Sequence, residues 1–277
     1  GIEHRLVERH ADDHEADIAG ALRELQADAH VDGIITQMPL PPGVPMPGLV
    51  LGRVVESHAA GFKTGDLVRG FGRWGDHSCV VPAMSALNVV DDTVADPRQH
   101  LGVLGMNGWT AYHGITATGR TRPGETVLVS AAAGATGLLA AQIARNMGCR
   151  VVGISGGAGK CRMLVEEFGL DCAIDYKNDD VEQALTRIGG GIHVYFDNVG
   201  GPLLDAVLPH MAHYGRVAIC GLVATYTADS ATPGPRRFDQ VLIRPRPTWL
   251  QVMGAHFPLR RVGRLLQALL ALGLATR

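Results

Sequence analysis

Apolar and polar positions change rhythm more than once along the chain. Ile18, Leu22 and Leu25 recur at helical spacing behind Asp12 and Glu15, which stand in capping-box order, so a helix is expected there. Val31 to Gln37 reads as a short buried strand. Pro39, Pro41, Pro42, Gly43, Pro45, Pro47 and Gly48 follow, a density that forbids a regular ladder and marks a boundary. From Leu49 to Val90 short Val-rich runs alternate with glycine turns. Arg53 to Glu56, Leu67 to Gly70 and Cys79 to Pro82 are the expected strands, as in part of a small barrel or sandwich. A short helix is expected around Asn107 to Gly114.

After Pro123 strand and helix patterns alternate. Thr126–Ser130, Arg150–Ile154, Cys172–Asp175, His193–Asp197 and Arg216–Ile219 read as strands. Leu138–Met147 and Cys161–Phe168 read as helices, closed by Gly148 and Gly169, and Arg261–Leu272 as a final helix. Such alternation implies parallel strands joined by right-handed crossovers: an α/β, doubly wound Rossmann sheet.

Composition narrows the function. With 277 residues, 46% of them hydrophobic, the chain can build one large core or two modest ones. A formal net charge of -2 and no long basic run leave no footprint for nucleic acid. The five cysteines contain no C-x-x-C pair, so reduced thiols in the cytoplasm are expected rather than a disulfide framework. The twelve histidines are scattered, and no metal site is expected. Gly1 to Asp17 is charged and does not read as a signal peptide. No apolar run reaches the ~18 residues of a membrane span. The basic amphipathic stretch from Arg260 reads as a helix packed on the sheet rather than one lying on a membrane.

The chemistry concentrates in the alternating half. Ala131-Ala-Ala-Gly134-Ala135-Thr136-Gly137 follows a strand and opens a helix. Small residues at 131, 134 and 137 let the backbone turn tightly and approach a pyrophosphate, with free N–H groups at the helix start. A second strand about 20 residues on completes the context that a dinucleotide site needs. Its end decides the cofactor. An NAD site places an acid there for the ribose 2′-OH, whereas this chain has Ile154-Ser155-Gly156-Gly157-Ala158-Gly159-Lys160. No acid is expected there to repel a 2′-phosphate, and Ser155, Gly156, Lys160 and Tyr176 are candidates to bind one. Asn198, Cys220, Gly221 and Tyr226 follow later strand ends. Asn198 is either a cofactor ligand or a turn residue bonding its own backbone. Tyr226 is either an oxyanion donor or a surface tyrosine.

These residues resemble the medium-chain dehydrogenase/reductase family, in its zinc-free, NADP-dependent alkenal/one reductase branch. The resemblance rests on Gly105–Tyr112, Pro123–Val127, Ser130–Gly137, Val151–Ile154, Gly169–Lys177, Tyr195–Gly201 and Cys220-Gly221. It implies an oxidoreductase that transfers hydride from NADPH to the β-carbon of an enone or enal. It also implies that Lys160 and Tyr176 hold the 2′-phosphate, that Asn198, Cys220 and Gly221 line the nicotinamide, and that Tyr226 serves the substrate carbonyl. Met106 and Thr110, from the Gly105–Tyr112 run, join the implied cofactor set. A homodimer is implied in the same way. Zinc-dependent relatives carry Gly-His-Glu near Gly48-Leu49-Val50, and its absence here adds to the expectation of no metal. Asn107 and Trp109 depart from the family's usual proline and leucine.

Residues 44–100 are expected to form a partial GroES-like substrate domain and 101–277 the Rossmann domain, with both ends of the substrate barrel missing. Residues 1–43 are expected to be a separate fragment. Leu25 to Pro42, with Gln37, resembles methylenetetrahydrofolate dehydrogenase/cyclohydrolase, but that family's catalytic lysine and downstream aspartate run are not found. The chain therefore reads as a fusion of two truncated pieces. A non-catalytic dinucleotide-binding relic is the alternative to an enzyme, and folate chemistry the weaker one.

Overall fold

The computed structural model describes residues 47–225, apart from 75, 92, 94 and 95, together with 249–252. The elements expected before residue 47, Tyr226 and the helix Arg261–Leu272 lie outside the described residues. The chain divides into two compact units between Val89 and Val90.

In the first unit, β1 (Pro47–Arg53) pairs antiparallel with β2 (Leu67–Arg73), which also pairs with β3 (Asn88–Val89). Three expectations need correction. Pro47 and Gly48 open a regular strand instead of forbidding one: a proline is tolerated at the first position of a strand, and a Cβ on Gly48 would run into the Trp74 indole. Of Arg53 to Glu56 only Arg53 is in a strand, and Val55 is exposed. Cys79 to Pro82 forms no strand. Val81 instead begins a turn, its carbonyl accepting from the N–H groups of Met84 and Ser85.

The second unit carries the parallel sheet. Helix α1 (Met106–His113) runs into a π-helical turn, Gly114–Thr118. Then follow β4 (Thr126–Val129), α2 (Ala135–Asn146), β5 (Arg150–Ser155), α3 (Ala158–Glu166), β6 (Cys172–Asp175), α4 (Val181–Ile188), β7 (Ile192–Asp197), α5 (Gly201–Val207), β8 (Met211–Ile219) and β9 (Trp249–Val252). The sheet order is β6-β5-β4-β7-β8-β9, with parallel pairing throughout.

The central strands carry unbroken apolar runs because both faces of the sheet are covered. Val127, Val129, Val151, Val194 and Phe196 pack in one buried cluster with Ala140, Ala141 and Ile143 of α2. Leu128, Val152, Ile154 and Tyr195 pack in the other with Leu185 and Ile188 of α4 and Leu204 and Val207 of α5. Helices α4 and α5 were not legible in the sequence. The first is only eight residues long, capped by Asp180, whose carboxylate accepts from Gln183 N at 3.0 Å. Strand order reverses between β4 and β7, and the crevice beyond the carboxyl ends of those strands is where a sheet of this kind receives its ligand.

Candidate cofactor site

The turn after β4 is built for close approach. Ala131 adopts φ 47°, a left-handed conformation unusual for a residue with a side chain. The Ala132 N–H is held by Ile154 O at 2.9 Å, and the Gly134 N–H by Ala131 O at 2.9 Å. A Cβ on Gly137 would collide with the Ala131 carbonyl and lie 3.0 Å from Ala132 Cα, so only glycine lets α2 pack this closely on its strand. No side chain caps α2. The backbone N–H groups of its first turn, including those of Ala135 and Thr136, have no intrahelical acceptors and suit an anion.

Thr136 Oγ1 donates to Asn107 Oδ1 at 2.9 Å, which ties the first turn of α2 to the first turn of α1. Met106 and Thr110 lie one helical turn apart on α1, the first exposed and the second half-buried. In the sequence Asn107 stands out only as a departure from the family's proline. Its bond to the glycine turn could not be read there.

The loop after β5 gathers the second group. Gly157 takes φ 97° and precedes α3, with Lys160 in its first turn. A Cβ on Gly156 would lie 2.9 Å from the Tyr176 ring and 3.1 Å from Lys177 Cε. Tyr176 is therefore beside the loop, and so is Lys177, which sequence reasoning missed. The Tyr176 N–H also donates to Ser155 O at 3.1 Å.

The expectation that no acid stands at this loop is corrected. Pairing of β5 with β6 sets Ser155 opposite Asp175. Asp175 Oδ1 accepts from Gly157 N at 2.8 Å and from Lys177 N at 3.1 Å, and Oδ2 accepts from Asn178 Nδ2 at 2.8 Å. The Gly157 N–H foremost holds this carboxyl below its ordinary range, against the opposing effect of burial. The acid is directed into the loop's own amides, where it shapes the backbone.

A third group locks the ends of β4 and β7 together. Asp197 is fully buried, and its Oδ1 accepts from Ser130 Oγ, Tyr195 OH, Val199 N and Gly200 N at 2.8–3.1 Å. Asn198 Nδ2 donates to Ser130 O at 2.7 Å, and Asn198 N to Ser130 Oγ at 2.8 Å. Asn198 thus binds another strand's backbone, not its own. The N–H groups of Cys220 and Gly221 both donate to Asp197 O, at 2.7 and 3.1 Å. A Cβ on Gly221 would lie 2.9 Å from Asn198 O. Burial, and secondarily the Asp197 charge, push the Cys220 thiol up to about 11.

Comparison with known proteins fits this arrangement. Residues 135–255 match the family model described as zinc-binding dehydrogenase, and residues 29–90 the one described as N-terminal domain of oxidoreductase. The structure superposes on that of CurA from Vibrio vulnificus in complex with NADPH with a TM-score of 0.74 and 32% identity, over 91% of this chain and 75% of that one. The chain belongs to the medium-chain dehydrogenase/reductase family.

The chain is 40% identical over 224 residues to the NADPH-dependent curcumin reductase of Escherichia coli (strain K12), covering 79% of this chain and 64% of the relative. It is 42% identical over 190 residues to a 2-alkenal reductase (NADP(+)-dependent) of Nicotiana tabacum, covering 68% and 55%. The chain thus spans between about half and two thirds of these relatives' length. The oxidoreductase match reaches back to residue 29, into the Leu25 to Pro42 run, and the folate-type resemblance gains no support. Among the described residues no group of three or more His, Cys, Asp or Glu side chains is placed to hold a metal ion, and no helix is long and apolar enough to cross a membrane.

Proposed function

We propose that this chain is an NADPH-dependent reductase of the C=C bond of small α,β-unsaturated ketones and aldehydes. The observation that carries the reading is the pair of loops beyond the carboxyl ends of β4 and β5. One is a glycine turn whose position 137 admits no side chain, and the other is an amide-rich loop flanked by Lys160, Tyr176 and Lys177. The relatives' NADPH-linked names support the same reading.

In this proposal the N–H groups at the start of α2 hold the pyrophosphate, and Ala131, Gly134 and Gly137 allow it to approach. Ser155, Gly156, Lys160 and Tyr176 bind the 2′-phosphate. Met106, Thr110, Asn198, Cys220 and Gly221 line the nicotinamide end. When bound, NADPH supplies the hydride for the substrate's β-carbon. Tyr226 donates a hydrogen bond to the carbonyl oxygen as negative charge develops there. Asp197 and Ser130 keep the floor of the crevice rigid, so that substrate and cofactor are oriented rather than merely collected. A cytoplasmic setting belongs to the proposal, supported by five free cysteines, and so does a homodimer, by resemblance.

The test is turnover of a simple enone, followed by loss of NADPH absorbance and by product analysis. A saturated ketone as product supports the reading. An allylic alcohol, or no turnover by a folded chain that binds NADPH, contradicts it.

A further inference from the structure

The amino ends of the parallel strands carry features that cofactor binding does not use. A cavity of about 410 Å³ opens there, beside the starts of β4 and β7. It lies at the far end of β4 from the glycine turn, ~13 Å of strand away at the usual rise per residue.

Three departures from regular backbone meet around it. The π-helical turn Gly114–Thr118 ends at it. Arg120 adopts φ 45° on its rim. Strand β8 bulges: Ile192 pairs with Met211 but Val194 with Arg216, so residues 212–215 stand against His193 alone, with Tyr214 at φ 61°. Bulges and strained residues of this kind re-aim side chains at a cost in stability, and they cluster where a ligand is held.

The described lining residues carry three guanidinium groups against one carboxylate. Arg216 grips Glu125 through two bonds, Nη1 to Oε1 at 2.8 Å and Nη2 to Oε2 at 2.6 Å, with side chains only 17% and 16% exposed. Glu125 Oε2 also takes the Arg122 N–H at 2.8 Å. Among the described residues it is the only carboxylate in the lining, and its charge is spent. His193 Nδ1 accepts from Thr126 N at 3.1 Å, which leaves Nε2 as the ring's donor. The guanidinium groups of Arg120 and Arg122 take no partner among the described residues. Once Arg216 and Glu125 cancel, two fixed positive charges are left.

We propose that this cavity is a second ligand site, distinct from the cofactor crevice, that takes the phosphoryl dianion of a small phosphorylated molecule. Arg120 and Arg122 supply the matching charge, and His193 supplies a further donor.

Titration of the full chain with inorganic phosphate and, separately, with glycerol 3-phosphate tests this, by calorimetry at constant chloride. The variants are Arg122→Ala, Arg120→Gly and Lys160→Ala. Arg122 is exposed and Arg120→Gly relieves a left-handed backbone, so both fold. The expected result is saturable binding, weakened about ten-fold or more by either arginine change, as loss of a charge-assisted bond requires, and still present in Lys160→Ala, which removes only a cation of the cofactor loop. Tighter binding of the ester identifies an organic phosphate as the ligand, and equal binding a free one. Phosphate binding that vanishes in Lys160→Ala and survives both arginine changes places the anion on the cofactor loop and overturns the proposal. So does the absence of saturable binding to the folded parent chain.

Discussion

Asp175 Oδ1 accepts the backbone N–H of Gly157 at 2.8 Å, so the end of β6 fixes the shape of the loop that leaves β5. The carboxylate also holds Lys177 N, which starts the turn that brings Lys177 Cε to within 3.1 Å of the Cβ position of Gly156. Asp175→Ala therefore leaves loop amides without their acceptor. NADPH affinity is expected to fall about ten-fold, in line with ~1.5–3 kcal/mol for a hydrogen bond to a charged group. Calorimetric dissociation constants for the parent and the variant check this, and equal values would show that the loop holds its shape unaided.

Lys160 and Lys177 approach the loop after β5 from different elements, α3 and the turn beyond β6. Each alanine substitution is expected to weaken NADPH by ~10-fold or more and to leave NADH nearly unchanged, because only the 2′-phosphate charge is lost as a partner. The ratio of the two affinities is the readout. A Lys177→Ala variant that keeps the parent ratio leaves Lys160 as the sole cation at the loop.

The strands were legible where their signal is local. Cys172–Asp175 matches its expected bounds, and Thr126–Val129 and Arg150–Ser155 differ by one residue, because short β-branched runs bounded by polar residues name themselves. Cys79 to Pro82 failed because a brief apolar run fits a turn as well as a strand. The glycine turn was legible as strand, small residues and helix. Asp175 and Asn107 were not. Their roles depend on which strand lies beside β5 and on how α1 meets α2, and those are through-space facts between residues 18 and 29 positions apart. The cavity at the opposite sheet end was hidden for the same reason, since its lining spans residues 118 to 216.

Gly137 is expected to be intolerant of even one methyl group. A Cβ there meets the Ala131 carbonyl, which is backbone and cannot rotate away. Gly137→Ala should lower stability by ~1–3 kcal/mol, the usual cost of overpacking, with a melting temperature several degrees lower. An unchanged melt would mean that α2 can shift off its strand.

The Cys220 thiol, pushed up to about 11, prefers its protonated form in the folded chain. Its contribution to stability is fully present below the ordinary thiol pKa of ~8.5 and is lost as pH rises towards about 11. Iodoacetamide at pH 8 is expected to modify exposed Cys79 and Cys172 long before Cys220. Asp197→Asn removes the nearby negative charge and should move Cys220 modification to lower pH. Peptide mapping by mass spectrometry reads both effects.

In the proposed function the loops after β4 and β5 bind NADPH. Isothermal calorimetry of the folded chain with NADPH and, separately, with NADH tests it most directly. Saturable binding of NADPH is expected, with NADH weaker by ~10-fold or more for want of the 2′-phosphate. Equal affinities for the two would contradict the roles of Lys160 and Tyr176, and no binding of either by a cooperatively melting chain would contradict the cofactor site itself.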